Sequence, residues 1–172
     1  MSVVSGWGST EAERDDEYPA TRHLPDAASS LHRAIDIDAP PGVVFRWLCQ
    51  LRVAPYSYDV LDNLGRRSPR QLTPGLEQLE VGQKFLIIYK LVEFEPGREI
   101  TVTINRLSGA FGTQTITYRV NPRDGDGSRL IVNRRVKPPR GPHGPMIKMN
   151  LPVIDLIMTR KQLRTLKKLA EK

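Results

Sequence analysis

The sequence predicts an α+β domain in which a curved antiparallel β-sheet grips a long C-terminal α-helix around a cavity, with two short helices after the first strand. Three observations carry that prediction. Residues 31–38 alternate apolar and polar, then break at Pro40-Pro41-Gly42 and switch to helical spacing. Several strand-like segments joined by short turns fill the middle of the chain. Residues 150–171 then read as one amphipathic helix.

In the opening strand Ile35 and Ile37 share one face and Asp36 and Asp38 the other, the period of a half-buried strand. Pro40 and Pro41 suit a helix entrance, where a missing N–H is no loss. Val43, Val44, Trp47, Leu48 and Leu51 recur at helical spacing and form one apolar stripe. Residues 54–74 are the least regular part of the body and are read as a second short helix around 58–64, closed by Gly65 as a left-handed cap. Strands are predicted over 83–94, 98–106, 112–120 and 129–137, which are rich in β-branched residues or place their apolar residues on one face. Pro96-Gly97 and the run 124–127 supply turns, because glycine accepts positive φ. Short connections make neighbouring strands antiparallel.

The proline-rich stretch 138–145 reads as a stiff connector, followed by Asn150 as helix N-cap and Pro152 in the first turn. Along the last helix Met158, Leu163, Leu166, Leu169 and Ala170 fall on one side, opposite Arg160, Lys161, Arg164, Lys167 and Lys168. Val153, Ile154, Leu156 and Ile157 make its first half apolar nearly all round, so that half is expected to be the more deeply buried.

At 172 residues the chain fits one domain plus a tail. Residues 1–30 carry a net charge of −4 with Trp7, Tyr18 and Leu24 as isolated large groups, too little apolar area to offset ordering. They are expected to be a disordered acidic tail, with folding back onto the body as the alternative. The ligand-binding body, 31–172, carries +11. Such a field attracts anionic membranes, nucleic acid or acidic ligands, although a solvated basic surface is the simpler account. Cys49 is the only cysteine, which excludes an internal disulfide, and its place in a helical pattern makes it a small core residue. No apolar run reaches the ~20 residues of a membrane span, and no signal segment opens the chain. A cytoplasmic protein without integral membrane contact is the expectation.

The strand at 35–38, the Ala39-Pro40 entrance to Val43-Val44-Phe45-Arg46-Trp47-Leu48, the stretch Val81-Gly82-Gln83-Lys84-Phe85 and the closing helix 158–168 together resemble the START/Bet v 1-like superfamily of polyketide cyclases, dehydrases and lipid-transport proteins. The resemblance covers about residues 31–171. It implies a helix-grip fold that binds a hydrophobic small molecule between sheet and terminal helix. It supplies no common catalytic motif.

A pocket of this kind is mostly apolar with a few convergent polar groups. On the last helix Asp155, Met158, Thr159 and Gln162 face the apolar side. Asp155 is read as a ligand-orienting group, a partner for a strand arginine or a base, against a plain first-turn acid favoured by the helix dipole. On the strands Tyr89, Arg106, Phe111, Gln114, Tyr118 and Arg134 are candidates, and an inward arginine suits a carboxylate or enolate. Trp47, Tyr56, Tyr58 and Asp59 complete the candidate pocket, with core packing as the competing role of the tyrosines. The three histidines have no metal-ligand spacing, and no phosphate-binding loop or dinucleotide turn is present, so no metal or cofactor is expected. Scarce aromatics argue against nucleic acid as a partner. Function is read first as binding of a lipid or polyketide-like molecule, second as a cyclase, dehydrase or aromatase on the same fold, with Asp155, Tyr58 and Arg106 as actors, and third as anionic-surface association.

Overall fold

The computed structural model describes residues 3–58, 67–104, 112–141 and 144–172. Its centre is one six-stranded antiparallel sheet in the order β1-β6-β5-β4-β3-β2. The strands are β1 (Ser29–Ile37), β2 (Lys84–Phe85), β3 (Tyr89–Glu95), β4 (Glu99–Ile104), β5 (Thr113–Arg123) and β6 (Gly127–Lys137). The 11-residue β5 and β6 form the middle of the sheet, joined by a turn in which Gly125 and Asp126 have φ of 72° and 60°. The predicted strand over 83–94 is in fact two. It folds back between Phe85 and Tyr89, where Leu86 and Ile87 take φ of 44° and 68°. Residues of that type are rarely left-handed, which is why the reversal left no mark in the sequence. A register shift between Leu91 and Glu93 marks an irregularity in the β3–β4 pairing, where a bulge adds local bend.

Alternation assigns the two faces. Ile35, Ile37, Leu130, Val132, Ile116, Tyr118, Ile100 and Val102 turn to the inner face, where α4 (Pro41–Cys49) and α5 (Gly144–Ala170) pack. Helix α4 begins with Pro41 at its first turn and buries Val44, Trp47 and Leu48, as its spacing requires. A single 3₁₀ turn, Gln50–Arg52, follows it. The expected helix around 58–64 falls largely outside the described residues. Cys49 is fully buried, and burial pushes its thiol up to about 12, so it serves as a core residue.

Helix α5 starts six residues before the expected Asn150 cap and carries Pro152 in its interior. Asn150 is an exposed mid-helix residue whose amide donates to the Met146 carbonyl at 2.9 Å. Leu163, Leu166 and Leu169 reach the core as expected. The apolar first half does not: Val153, Ile154 and Ile157 are each about half exposed. A helix presents one stripe to a sheet, and here Asp155, Thr159 and Gln162 occupy that stripe.

Before β1, among the described residues, α1 (Val3–Gly6) packs against β1 and α5, while α2 (Glu11–Asp15) and α3 (Pro19–His23) lie against the outer face of the sheet. Composition alone suggests a disordered tail here, or one that folds back onto the body. Charge accounts for the packing. Arg119 on β5 donates to Asp16 and Glu99 at 2.7 Å and to the Glu17 carbonyl at 2.8 Å, with the Tyr18 ring beneath its guanidinium. Arg129 pairs with Glu13 at 2.7 Å, and Lys137 with Asp26. Tyr18, almost fully buried, fills the space against Ala34 and Ile131. Segment composition counts only what the segment can bury by itself; here the sheet supplies the other half of each contact.

Candidate functional site

Beneath α5 the inner face carries a cluster of polar side chains inside an apolar wall. Arg33 on β1 and Arg134 on β6 point inward because each lies two residues from, and so on the same face as, Ile35 and Val132. Both converge on Asp155 of α5. Arg33 Nη2 lies 2.8 Å from one carboxylate oxygen and Arg134 Nε 2.8 Å from the other. Thr159, one turn along the helix, donates its hydroxyl to Asp155 Oδ1 at 3.0 Å. Asp155 is therefore the partner of strand arginines, one of its expected roles. It is a mid-helix residue, not the first-turn acid of the competing reading, and both its oxygens are engaged.

The neighbours of Arg134 extend the cluster. Its Nη1 donates to Gln114 Oε1 at 3.0 Å and lies 3.4 Å from the Tyr89 hydroxyl, which itself donates to Gln114 at 2.9 Å. Its Nη2 has no partner among the described residues. Burial works against the charge of Arg134, but Tyr89, Asp155 and Tyr118 around it raise its pKa overall. Burial pushes the Tyr89 and Tyr118 phenols up, so both remain protonated donors at neutral pH. Burial lowers Arg33, opposed by the Asp155 carboxylate. The two ion pairs are close but poorly aligned as hydrogen bonds, since neither Arg134 Nε nor Asp155 Oδ2 has a well-directed partner. Among the described residues two guanidiniums share one carboxylate here, a buried surplus of positive charge. Arg33 and Asp155 have side chains about 1% exposed, whereas Arg134 keeps 17%.

Of the candidates read from the sequence, Tyr89, Gln114, Tyr118, Arg134, Asp155 and Gln162 gather in this layer. Tyr118 donates to Gln162 at 3.0 Å. Trp47 and Tyr56 are buried beside one another, edge to face with ring centres 6.0 Å apart. Met158 is half-buried, and Tyr58 is 39% exposed. Asp59, Arg106 and Phe111 lie outside the described residues. Arg33 was missed, although an arginine in step with Ile35 and Ile37 is itself a signal of an inward charge.

Two depressions are open to solvent elsewhere on the surface. One of about 570 Å³ lies on the outer face between α2, α3 and the sheet, with His32, Asn133 and Arg135 in its wall. The second, about 360 Å³, lies between the ends of the 56–70 segment and the back of α5. Among the described residues no helix is long and apolar enough to cross a membrane, and no group of three or more His, Cys, Asp or Glu is placed to hold a metal.

The sequence matches no family model and no curated protein. Solved structures do match in shape. Protein CV1439 from Chromobacterium violaceum superposes with a TM-score of 0.56 at 15% identity, over 84% of this chain and 99% of that one. The Zhui aromatase/cyclase from Streptomyces sp. R1128 gives 0.55 at 12%, over 83% and 93%. The shape they share with this chain is the helix-grip fold. A Thermobifida fusca protein solved by NMR gives 0.52 at 14%, over 80% and 90%. Identity at this level speaks for the helix-grip fold alone, so the chemistry has to be argued from the polar cluster.

Proposed function

We propose that this helix-grip protein binds a hydrophobic small molecule carrying an anionic or enolic oxygen between the inner sheet face and α5. The surplus positive charge of the Arg33–Asp155–Arg134 cluster is the observation that carries the reading. A buried charge is costly unless matched, and a carboxylate, phenolate or enolate entering beside Arg134 would match it. The Nη2 edge of Arg134, without a partner among the described residues, offers the donor, and the Tyr89 and Tyr118 phenols, which donate to Gln114 and Gln162, lie nearby as neutral polar groups. Apolar walls from β4 and β5 suit the remainder of a lipid or polyketide-like molecule.

A second reading is a cyclase or dehydrase on the same cluster. Protonated tyrosines and a guanidinium favour it, since together they polarise a carbonyl and stabilise an enolate. The Streptomyces neighbour of similar shape bears an aromatase/cyclase name. Asp155 is a poor base in such a reaction because a guanidinium sits against each of its oxygens.

The test is titration with 1-anilinonaphthalene-8-sulfonate, an anionic apolar probe, alongside native mass spectrometry of the purified protein. Saturable one-to-one binding that Arg134→Met weakens ~tenfold or more is expected, the loss of a charge-assisted contact. Equal binding by Arg134→Met, or none by either protein, would overturn the reading.

A further inference from the structure

Most arginines on the sheet are matched by acids: Arg119 by Asp16 and Glu99, Arg129 by Glu13 and Asp36, Arg134 by Asp155. Other cations have no acidic partner among the described residues, Arg135 and Lys84 among them, and four of these are gathered in one place. Arg70, Lys161, Arg164 and Lys168 have no acidic partner among the described residues, and all four line the 360 Å³ depression behind α5. Lys161, Arg164 and Lys168 lie on one side of the helix at spacings of three and four, and Arg70 faces them from a different segment. Ser57, Ser68 and Thr165 add hydroxyls to the same wall. The negative end of the helix dipole accounts for a lysine in the last turn, such as Lys168. It does not account for Lys161, more than two turns from the end, nor for Arg70.

We propose that this depression is an oxyanion site that takes a phosphoryl group, carried either by a soluble phosphate ester or by the headgroup of an anionic phospholipid. Four cations on two elements exceed what a single carboxylate can match. A phosphoryl group presents three acceptor oxygens and up to two negative charges, and guanidiniums fit it in a bidentate manner. The headgroup source follows from the rest of the same helix face. Toward its N-terminus the outward side of α5 exposes Met149, Val153, Ile154 and Ile157, so apolar and cationic halves share one surface, as in helices that lie on anionic bilayers. The site is separate from the cluster beneath α5, since Asp155 and Gln162 occupy the opposite side of the helix.

The experiment titrates isotope-labelled full-length protein with inorganic pyrophosphate, followed by amide NMR, and sediments it with phosphatidylcholine vesicles with and without phosphatidic acid. Arg70→Glu and the pair Lys161→Glu/Arg164→Glu are compared with Lys84→Glu, an exposed cation on β2 with the same charge change as Arg70→Glu. Pyrophosphate is expected to shift the amides of Arg70, Lys161, Arg164 and Thr165. The pocket variants should weaken it ~tenfold or more and Lys84→Glu little. Sedimentation that requires phosphatidic acid and is lost in the pocket variants would assign the headgroup as the source. Pyrophosphate binding without sedimentation would assign a soluble ester. No response to either probe, or equal losses in Arg70→Glu and Lys84→Glu, would overturn the site in favour of diffuse attraction to a basic chain.

Discussion

Tyr118 on β5 donates its phenolic proton to Gln162 on α5 at 3.0 Å, and the Gln162 amide donates onward to the Pro55 carbonyl at 2.7 Å. One buried side chain thus ties the sheet, the terminal helix and the segment after α4. Gln162→Leu keeps the volume but strands a buried hydroxyl and a buried carbonyl, an expected loss of ~2–4 kcal/mol in urea unfolding. Adding Tyr118→Phe should recover part of it, because the second stranded group is then removed as well. Additive losses would mean that the bond carries no coupling.

Asp155→Asn is nearly isosteric and removes the one counter-charge that Arg33 and Arg134 have among the described residues. Breaking a buried pair in this way costs ~3–5 kcal/mol. Denaturant unfolding measures it, and a loss under about 1 kcal/mol would show that the cluster is solvated, since exposed pairs contribute no more than that.

His32, buried under the N-terminal segment, has its pKa lowered to about 4, chiefly by burial and further by Arg14, Arg33 and Arg135. In the unfolded chain it titrates near 6.5. Between those values only the unfolded state takes up the proton, so stability falls with acidity across that window, by on the order of 3 kcal/mol from pH 7 to pH 4. His32→Gln should flatten most of that slope in unfolding measured from pH 7 to 4. Acid loss that persists unchanged would assign it to carboxylates such as Glu13, whose pKa its contacts with Arg129 and Thr10 hold low despite burial.

Gly8 sits where the N-terminal segment crosses β1, with φ of +73° and a position at which a Cβ would come 2.1 Å from the Ala34 carbonyl oxygen. Next to it the Trp7 carbonyl accepts the Ala34 N–H at 3.1 Å. Gly8→Ala is expected to lift this crossing, lowering stability by ~2 kcal/mol or more. Limited proteolysis within residues 1–28 should accelerate. Unchanged cleavage and an unchanged unfolding midpoint would show that the crossing contributes nothing to stability.

Alternation made much of the sheet legible. Ile35 and Ile37, Leu130 and Val132, Ile116 and Tyr118 each fell on the face their period of two demands, and Arg134 was placed inward by the same rule. The Leu86–Ile87 reversal was not legible, because it rests on backbone angles that leucine and isoleucine seldom take. Nor was the exposed half of α5: an apolar segment is compatible with burial, but which side meets the sheet depends on what the sheet presents.

The order of elements, the helix entrance at Pro41 and the inward side of α5 through Gln162, Leu163 and Leu166 follow from the chain alone, since period and proline geometry are local properties. The pairing of Arg33 and Arg134 with one Asp155, the docking of the acidic N-terminal segment on Arg119 and Arg129, and the gathering of Arg70 with Lys161 and Arg164 were decided only by the tertiary structure. Each joins residues far apart in sequence, and charges find their partners through the folded arrangement rather than along the chain.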